Sequence, residues 1–202
     1  MTLKLIVGGD GVIGRAVSEN WRLQGTLFHS TTRNKHQASD TRPFLDLEYP
    51  FSPPTIDDYS VVILLAAKTS TNWCEAHPRE SHLINVDRTL SLAKYYSERG
   101  SHIIFLSSTQ VFDGSRPYYS PLDSVNPVTE YGRQKVAAEK AVMGLRRSTI
   151  LRVSKIDYPE SPILVEWKRK LVSGQSIQPL SDVFISLVNI EEVVKAINEI
   201  IV

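Results

Sequence analysis

The sequence has 202 residues, of which 42% are hydrophobic and 22% are charged, as is usual for a globular chain that buries a sizeable core. Twenty-three basic residues against twenty-two acidic ones give a formal net charge of +1, which argues against a nucleic-acid partner or an anionic membrane surface. The lone cysteine, Cys74, excludes an internal disulfide, and the apolar start Leu3–Val7 is too short for a signal peptide or a membrane span. We therefore expect a soluble cytoplasmic protein.

Short apolar runs alternate with helical patterns along most of the chain. Strands are predicted at Leu3–Val7, Thr26–Ser30, Val61–Leu65, His102–Leu106 and Thr149–Val153, and helices at Val12–Leu23, Pro78–Glu98 and Glu130–Met143. Because strands that alternate with helices form βαβ units, the predicted fold is α/β, a Rossmann-like doubly wound parallel sheet. Four prolines between the second and third strands leave little room for a crossover helix there.

The C-terminal part of the chain has a less regular pattern. It predicts a helix around Ile163–Val172, an extended piece at Val183–Val188 and a closing amphipathic helix over Ile190–Ile201. Residues 155–189 fall outside the predicted sheet and are too few for a second domain. We expect a single domain over residues 1–202, with residues 155–189 as a small C-terminal flap.

A glycine-rich loop follows the first predicted strand directly. Gly8, Gly11 and Gly14 have the spacing G-x-x-G-x-x-G, with Val12 and Ile13 opening the helix. Glycines allow a tight turn and a close backbone approach to a pyrophosphate, and the start of the helix offers free N–H groups to that anion. The position of the loop between a strand and a helix predicts a dinucleotide site, whereas the spacing alone would also fit an ordinary turn.

The end of the second predicted strand indicates which dinucleotide is bound. An NAD site usually has Asp or Glu there to bind the ribose 2′-hydroxyl, but no acidic residue follows this strand before Asp40. Arg33 can instead pair with a 2′-phosphate. The sequence thus favours NADP over NAD as cofactor, unless Arg33 is only a solvated loop residue.

Two further elements carry groups suited to proton transfer. Tyr131 and Lys135 lie four residues apart on one helix face, where an ammonium group can stabilise a phenolate. Hydroxyl-bearing residues follow the fourth strand in the run Ser107–Gly114, where α/β sheets bind their ligands. The alternatives are an exposed surface pair and hydroxyls that only satisfy the strand end.

As an ordered set, these motifs resemble a known family. The stretches Val7–Gly14, Val61–Ala67, Cys74–Ala93, Ile104–Gly114, Pro127–Ala141 and Ile150–Ser154 are similar to those of extended short-chain dehydrogenases/reductases, the NAD(P)-dependent epimerase/dehydratase group. Within that group the chain is most similar to dTDP-4-dehydrorhamnose reductases and related sugar-nucleotide reductases.

The resemblance implies a role for each matching residue. Ser108 would orient a substrate carbonyl, Tyr131 would act as general acid, and Lys135 would lower its pKa and hold the nicotinamide ribose. Asn85 would support the helix behind the lysine. The cofactor would also contact Asp46 and Leu47 at its adenine, and Ala66 and Ala67 on the ribose and nicotinamide side, positions that could equally serve core packing.

The chain departs from the family at two points. Where the reductases usually have Ser-Thr-Asp-Tyr, this chain has Ser107-Ser108-Thr109-Gln110. Family members also continue well past the point where this chain ends, so residues 155–189 would be a reduced substrate-binding segment, and the pocket would be shallow or completed by another chain.

The predicted function is NAD(P)-dependent oxidoreduction, with hydride transfer to or from a keto or hydroxyl group and a nucleotide sugar as the candidate substrate. The alternatives are a non-catalytic NADP(H)-binding regulatory or redox-sensing protein and a nucleotide-sugar epimerase. A homodimer through the helices near residues 78–98 and 130–143 is expected, and no metal site is predicted because the histidines lack the spacing of metal ligands.

Overall fold

The structure is a computed structural model that describes residues 2–54, 58–158, 162–178 and 185–201. Seven strands are present in this part of the chain: β1 Lys4–Val7, β2 Phe28–Ser30, β3 Val61–Leu64, β4 His102–Ser108, β5 Ser148–Val153, β6 Lys155–Asp157 and β7 Leu187–Asn189. The α-helices are α1 Val12–Leu23, α2 Thr71–Ala76, α3 Pro78–His82, α4 Thr89–Ser97, α5 Glu130–Met143, α6 Pro162–Val172 and α7 Ile190–Ile201.

The main sheet has five parallel strands in the order β2-β1-β3-β4-β5. From β1 the chain moves outward to β2 and then returns to β3 on the other side, so the strand order reverses between β1 and β3. In open α/β sheets, ligands bind outside the carboxyl ends of the strands at such a reversal. The predicted Rossmann-like fold is confirmed, and the fold places a candidate site above Val7 and Leu64.

Helices cover the sheet on both faces because the side chains of each strand alternate between them. On one face, the strands pack against buried residues of α4 and α5, including Leu92, Tyr96 and Val142. On the other face they pack against α1 and α7, with Trp21 and Ile197 fully or almost fully buried. This double covering explains why the three central strands β1, β3 and β4 are largely apolar.

The predicted elements lie close to the observed ones, with three differences, the first of which is the unpredicted short helix α2, Thr71–Ala76. The helix expected over Pro78–Glu98 is interrupted by a π-helical turn, Leu83–Arg88, which carries Asn85. Strand β6 was not predicted, and it pairs in parallel with β7 to form a separate two-stranded sheet. Of the extended piece expected at Val183–Val188, residues 183–184 lie outside the described residues.

Between β2 and β3 the described residues contain only one 3-10 turn, Lys35–Gln37, as the prolines in this segment predicted. Residues 41–45 instead run alongside β2, where Ser30 N donates to Thr41 O and Thr32 N donates to Pro43 O. None of the helices described is long and apolar enough to cross a membrane.

Candidate functional site

The glycine loop packs so closely that a side chain would clash at three of its positions, Gly8, Gly9 and Gly14. A Cβ atom on Gly14 would lie 2.3 Å from the carbonyl oxygen of Gly8, and one on Gly8, whose φ is +98°, would lie 2.8 Å from the backbone nitrogen of Ala66. The N-cap of α1 is Gly11, so no side chain caps the helix, and its first turn has no acidic residue. The first N–H groups of α1 are therefore available to an anion.

A cavity of about 700 Å³ opens at the carboxyl ends of the strands, next to this loop. It collects most of the residues singled out in the sequence. Its lining includes Gly8, Gly11, Val12, Ile13, Gly14, Arg33, Asp46, Leu47, Ala66, Ala67, Ser108 and Tyr131. The structure thus brings the glycine loop, Ser108 and Tyr131 to one cavity. Lys135 and Asn85 lie outside its lining.

Helix α5 positions Tyr131 and Lys135. Thr129 caps it by accepting a 3.0 Å hydrogen bond from Gly132 N, so the helix begins one residue before Tyr131. The ammonium of Lys135 lies 5.7 Å from the centre of the Tyr131 ring and 4.5 Å from that of Phe105. It donates to the carbonyl oxygen of Leu106 at 2.8 Å. Lys135 is thus held against β4, behind the cavity wall.

Burial shifts the pKa of both Tyr131 and Lys135. Burial lowers the pKa of Lys135 to about 8, although Glu139 opposes the shift. Burial also raises the pKa of Tyr131, and the nearby Cys74 adds to that effect. Burial thus sets the pKa of both groups in this structure, and the expectation that Lys135 lowers the pKa of Tyr131 stays a prediction.

Two adjacent serines at the end of β4 have different surroundings. The hydroxyl of Ser108 accepts a 3.2 Å hydrogen bond from Gln110 N and keeps its own proton free to donate. Ser107 is buried and also lines the cavity, yet its hydroxyl has no hydrogen-bond partner among the described residues. The sequence indicated hydroxyls at this strand end, but it gave no means of distinguishing the satisfied one from the unsatisfied one.

Asn85 contacts α5 through a residue next to Lys135. Its amide donates to Gln134 Oε1 at 2.8 Å and to Lys68 O at 3.0 Å, and its oxygen accepts from Lys68 N at 2.7 Å. Gln134 is fully buried and donates in turn to Ser81 and Glu130. The network joins the loop after β3 to α5, and Gln134 is a member of it that the sequence analysis missed.

Charged residues surround the end of the cavity beyond β2. Arg33 lies there with its guanidinium 3.6 Å from the Glu48 carboxylate, which also forms an ion pair with Lys68. Asp46 accepts from Glu48 N at 2.9 Å, and Leu47 is buried. Asp10, Glu48 and Lys68 line the same end and were not predicted as site residues.

Residues 155–189 also contribute to the cavity. Lys155, Ile156, Tyr158, Ile185 and Ser186 belong to its lining, next to Val153 and Ser154 from the end of β5. Among the residues described, no group of three or more His, Cys, Asp or Glu side chains could hold a metal ion.

Comparisons with known proteins agree with this geometry. A family model described as the RmlD substrate binding domain matches residues 1–162. Methionine adenosyltransferase 2 subunit beta of Bos taurus is 34% identical over 146 residues, which cover 69% of this chain and 42% of that protein. The chain therefore spans less than half the length of this relative.

Solved structures share the fold at low identity. The crystal structure of a dTDP-4-dehydrorhamnose reductase from Clostridium acetobutylicum superposes with a TM-score of 0.86 at 20% identity, covering 98% of this chain and 70% of that one. A dTDP-4-dehydrorhamnose reductase from Bacillus anthracis in complex with NADP gives a TM-score of 0.82 at 20% identity, covering 99% and 70%. With the family model matching most of its length, the chain belongs to the RmlD substrate-binding domain family.

Proposed function

We propose that this chain is an NAD(P)-dependent oxidoreductase of the extended short-chain dehydrogenase type, which acts on a keto or hydroxyl group of a nucleotide sugar. One observation carries the proposal. A single cavity joins an uncapped helix terminus in a glycine loop to Ser108 and Tyr131. Membership of the family and the reductase names of the structural neighbours support it.

The residues present fit a dinucleotide. The glycine loop leaves no room for side chains at Gly8 and Gly14, and the free N–H groups at the start of α1 suit a pyrophosphate. Ala66 and Ala67 are small residues of the same cavity lining, to which Asp46 and Leu47 also belong, and Ala66 packs directly against Gly8. Arg33 offers a cation for a 2′-phosphate, so we propose NADP(H) as the favoured cofactor and NAD(H) as the weaker one.

When bound, the dinucleotide would supply or accept the hydride. Tyr131 would give a proton to the substrate oxygen, and Ser108 would donate a hydrogen bond that orients that oxygen. Burial raises the pKa of Tyr131, and Lys135, whose ammonium donates to Leu106 O on the same side of the sheet, is the cation that would lower it. An epimerase would use the same residues in both directions.

We further propose that residues 1–202 act as one NAD(P)-binding domain, with residues 155–189 as a reduced substrate-binding segment. The contribution of Tyr158 and Ile185 to the cavity wall supports this assignment. A small-molecule substrate would bind between this segment and Ser108.

The test is a titration with NADPH and NADH, followed by quenching of tryptophan fluorescence. Arg33→Ala should weaken NADPH binding about tenfold or more while NADH binding changes little, because only NADPH carries the 2′-phosphate. Arg22→Ala, which removes an exposed arginine near the end of α1, is the matched control. Binding of neither dinucleotide by folded protein would refute the proposal.

Turnover is tested separately with keto-sugar nucleotides and NADPH. Tyr131→Phe should bind the dinucleotide normally and lose at least about a hundredfold in rate, since it lacks the transferable proton. Equal rates in the variant and the parent protein would remove Tyr131 from the mechanism.

A second function has specific support, that of a non-catalytic, NADP(H)-binding regulatory or redox-sensing subunit. The Bos taurus relative is named as a subunit of a transferase, and Lys135 is held away from the cavity. Dinucleotide binding without turnover on any keto-sugar nucleotide, and with no effect of Tyr131→Phe, would favour this function.

The cell compartment and the assembly state are also proposals. The single cysteine suits a reducing compartment, for which we propose the cytoplasm. A homodimer would form through the outer faces of the helices near residues 78–98 and 130–143, where Leu83 and Met143 are exposed. Light scattering of the parent protein and of Met143→Glu would test it, since a charge in that interface should favour the monomer.

A further inference from the structure

Cofactor choice in this fold depends on the charge at the end of the second strand, where an acid binds the ribose 2′-hydroxyl of NAD and an arginine accommodates the 2′-phosphate of NADP. No acidic residue follows β2 in the sequence before Asp40. The structure nevertheless places a carboxylate at this point, because Asp10 reaches across from the glycine loop. Its Oδ2 accepts hydrogen bonds from Arg33 N at 2.8 Å and from Thr32 Oγ1 at 3.0 Å.

The carboxylate has a cation behind it. Arg42 donates to Asp10 Oδ1 at 2.7 Å and is not part of the cavity lining, whereas Asp10 and Arg33 both are. Arg42 arrives here because residues 41–45 run beside β2. Its Nε is buried and has no hydrogen-bond partner among the described residues, so Asp10 is the group that orients it.

Asp10 remains ionised in this setting. Burial raises its pKa, but the hydrogen bonds from Arg33 N, Arg42 and Thr32 outweigh burial and hold the pKa below the ordinary value. A ligand at this end of the cavity therefore meets a negative charge from Asp10, held at the backbone of Arg33, and the positive charge of Arg33, whose side chain is 64% exposed and whose guanidinium lies 3.6 Å from the Glu48 carboxylate.

We propose that Asp10 sets the cofactor preference of this chain: its carboxylate accepts the ribose 2′-hydroxyl of NAD(H) and opposes the 2′-phosphate that Arg33 attracts. Asp10 thus replaces the acidic residue that NAD sites usually have at the end of β2. Arg42 partly neutralises the charge of the Asp10 carboxylate. The preference for NADPH over NADH is then smaller than it would be in a site that had Arg33 without Asp10. This inference rests on the proposed dinucleotide function.

The test compares dissociation constants for NADPH and NADH in the parent protein, Asp10→Asn, Arg42→Leu and Glu19→Gln. Asp10→Asn should raise the NADPH-to-NADH affinity ratio about tenfold, because it removes one unit charge beside the phosphate and one acceptor for the ribose hydroxyl. Arg42→Leu should lower that ratio, because it leaves Asp10 without its cation. Glu19, exposed on α1, is the control for a change in net charge and should leave the ratio unchanged.

Each outcome is decisive. If Asp10→Asn weakens the binding of both dinucleotides equally, or lowers the NADPH-to-NADH affinity ratio, Asp10 only stabilises the loop and the inference is wrong. If Asp10→Asn fails to fold, as a melting curve would show, an unchanged ratio in Arg42→Leu overturns the inference equally well. Binding of neither dinucleotide by the parent protein refutes the proposed function and this inference with it, whereas binding with an unaltered ratio refutes the inference alone.

Discussion

Lys135 is a buried charge whose cost to folding can be measured. Its side chain is almost completely buried, and burial lowers its pKa from 10.5 to about 8. Below about pH 8 both the folded and the unfolded protein hold the proton, so the folded state bears the full cost of the buried ammonium. Between about pH 8 and 10.5 the unfolded chain holds a proton that the folded chain has lost, and stability rises with pH.

The size of the effect follows from the shift. A fall in pKa from 10.5 to about 8 corresponds to about 3 kcal/mol of free energy of unfolding. Lys135→Met removes this cost, but it also removes the hydrogen bond to Leu106 and the contact with the Phe105 ring, about 1–2 kcal/mol at every pH. We therefore expect Lys135→Met to be more stable than the parent protein by about 1–2 kcal/mol near neutral pH.

The pH dependence gives the sharper measurement. Urea unfolding, followed by circular dichroism from about pH 7 to about pH 10, should show the advantage of Lys135→Met shrinking by about 2 kcal/mol as the pH rises. Lys140→Met removes an exposed lysine from the same helix, and its difference from the parent protein should stay flat. An advantage for Lys135→Met that is constant or grows with pH would show that Lys135 is not held in a desolvated site.

Three other predictions concern the frame around the cavity. Arg152→Met should cost about 3–5 kcal/mol of unfolding free energy, because it leaves the buried Glu139 carboxylate without its partner. Adding Glu139→Leu to this variant should recover most of the loss. An equal loss in the single and the double variant would contradict a buried ion pair. Gly132→Ala should cost about 1–3 kcal/mol of unfolding free energy and impair turnover, since its Cβ would lie 2.2 Å from the backbone oxygen of Gln110 in the turn after β4. In the control Gly144→Ala, the nearest atom to the Cβ lies at 3.4 Å, so a thermal melt should show almost no change. Cys74 is buried and burial raises its pKa, so iodoacetamide should label it only after unfolding, as mass spectrometry would detect.

The sequence predicted the fold well because its signals are local. Apolar runs and helical periodicity located every strand of the main sheet, and the glycine spacing located the loop at the cavity. Helix α5 was predicted with its observed bounds, Glu130–Met143, and the structure adds Thr129 as its cap. These features depend on neighbours in the chain, which a single sequence displays.

The unpredicted features depend on contacts between distant parts of the chain. Asp10 reaches the end of β2 only because the glycine loop and residues 41–45 meet there, so a search confined to the residues after β2 could not find it. The position of Lys135 depends on an acceptor from β4, the Leu106 carbonyl, which the spacing to Tyr131 does not reveal. Spacing placed the Tyr131 and Lys135 side chains on one helix, but packing against β4 decides which way the ammonium points.

The distribution of unfavourable groups bears on whether this chain is only a scaffold. Behind the cavity, the polar groups are paired: Asn85 donates to Gln134, and Arg152 forms an ion pair with Glu139, and both contacts stabilise α5. Around the cavity end of β4 the reverse holds. Lys135, just behind the cavity wall, carries a desolvated ammonium, the Ser107 hydroxyl has no hydrogen-bond partner among the described residues, and burial raises the pKa of Tyr131. A scaffold would gain stability by replacing these three groups with apolar ones. Their concentration beside one cavity, with well-satisfied polar groups behind it, is the pattern expected where a site is kept for its ligand at the expense of stability.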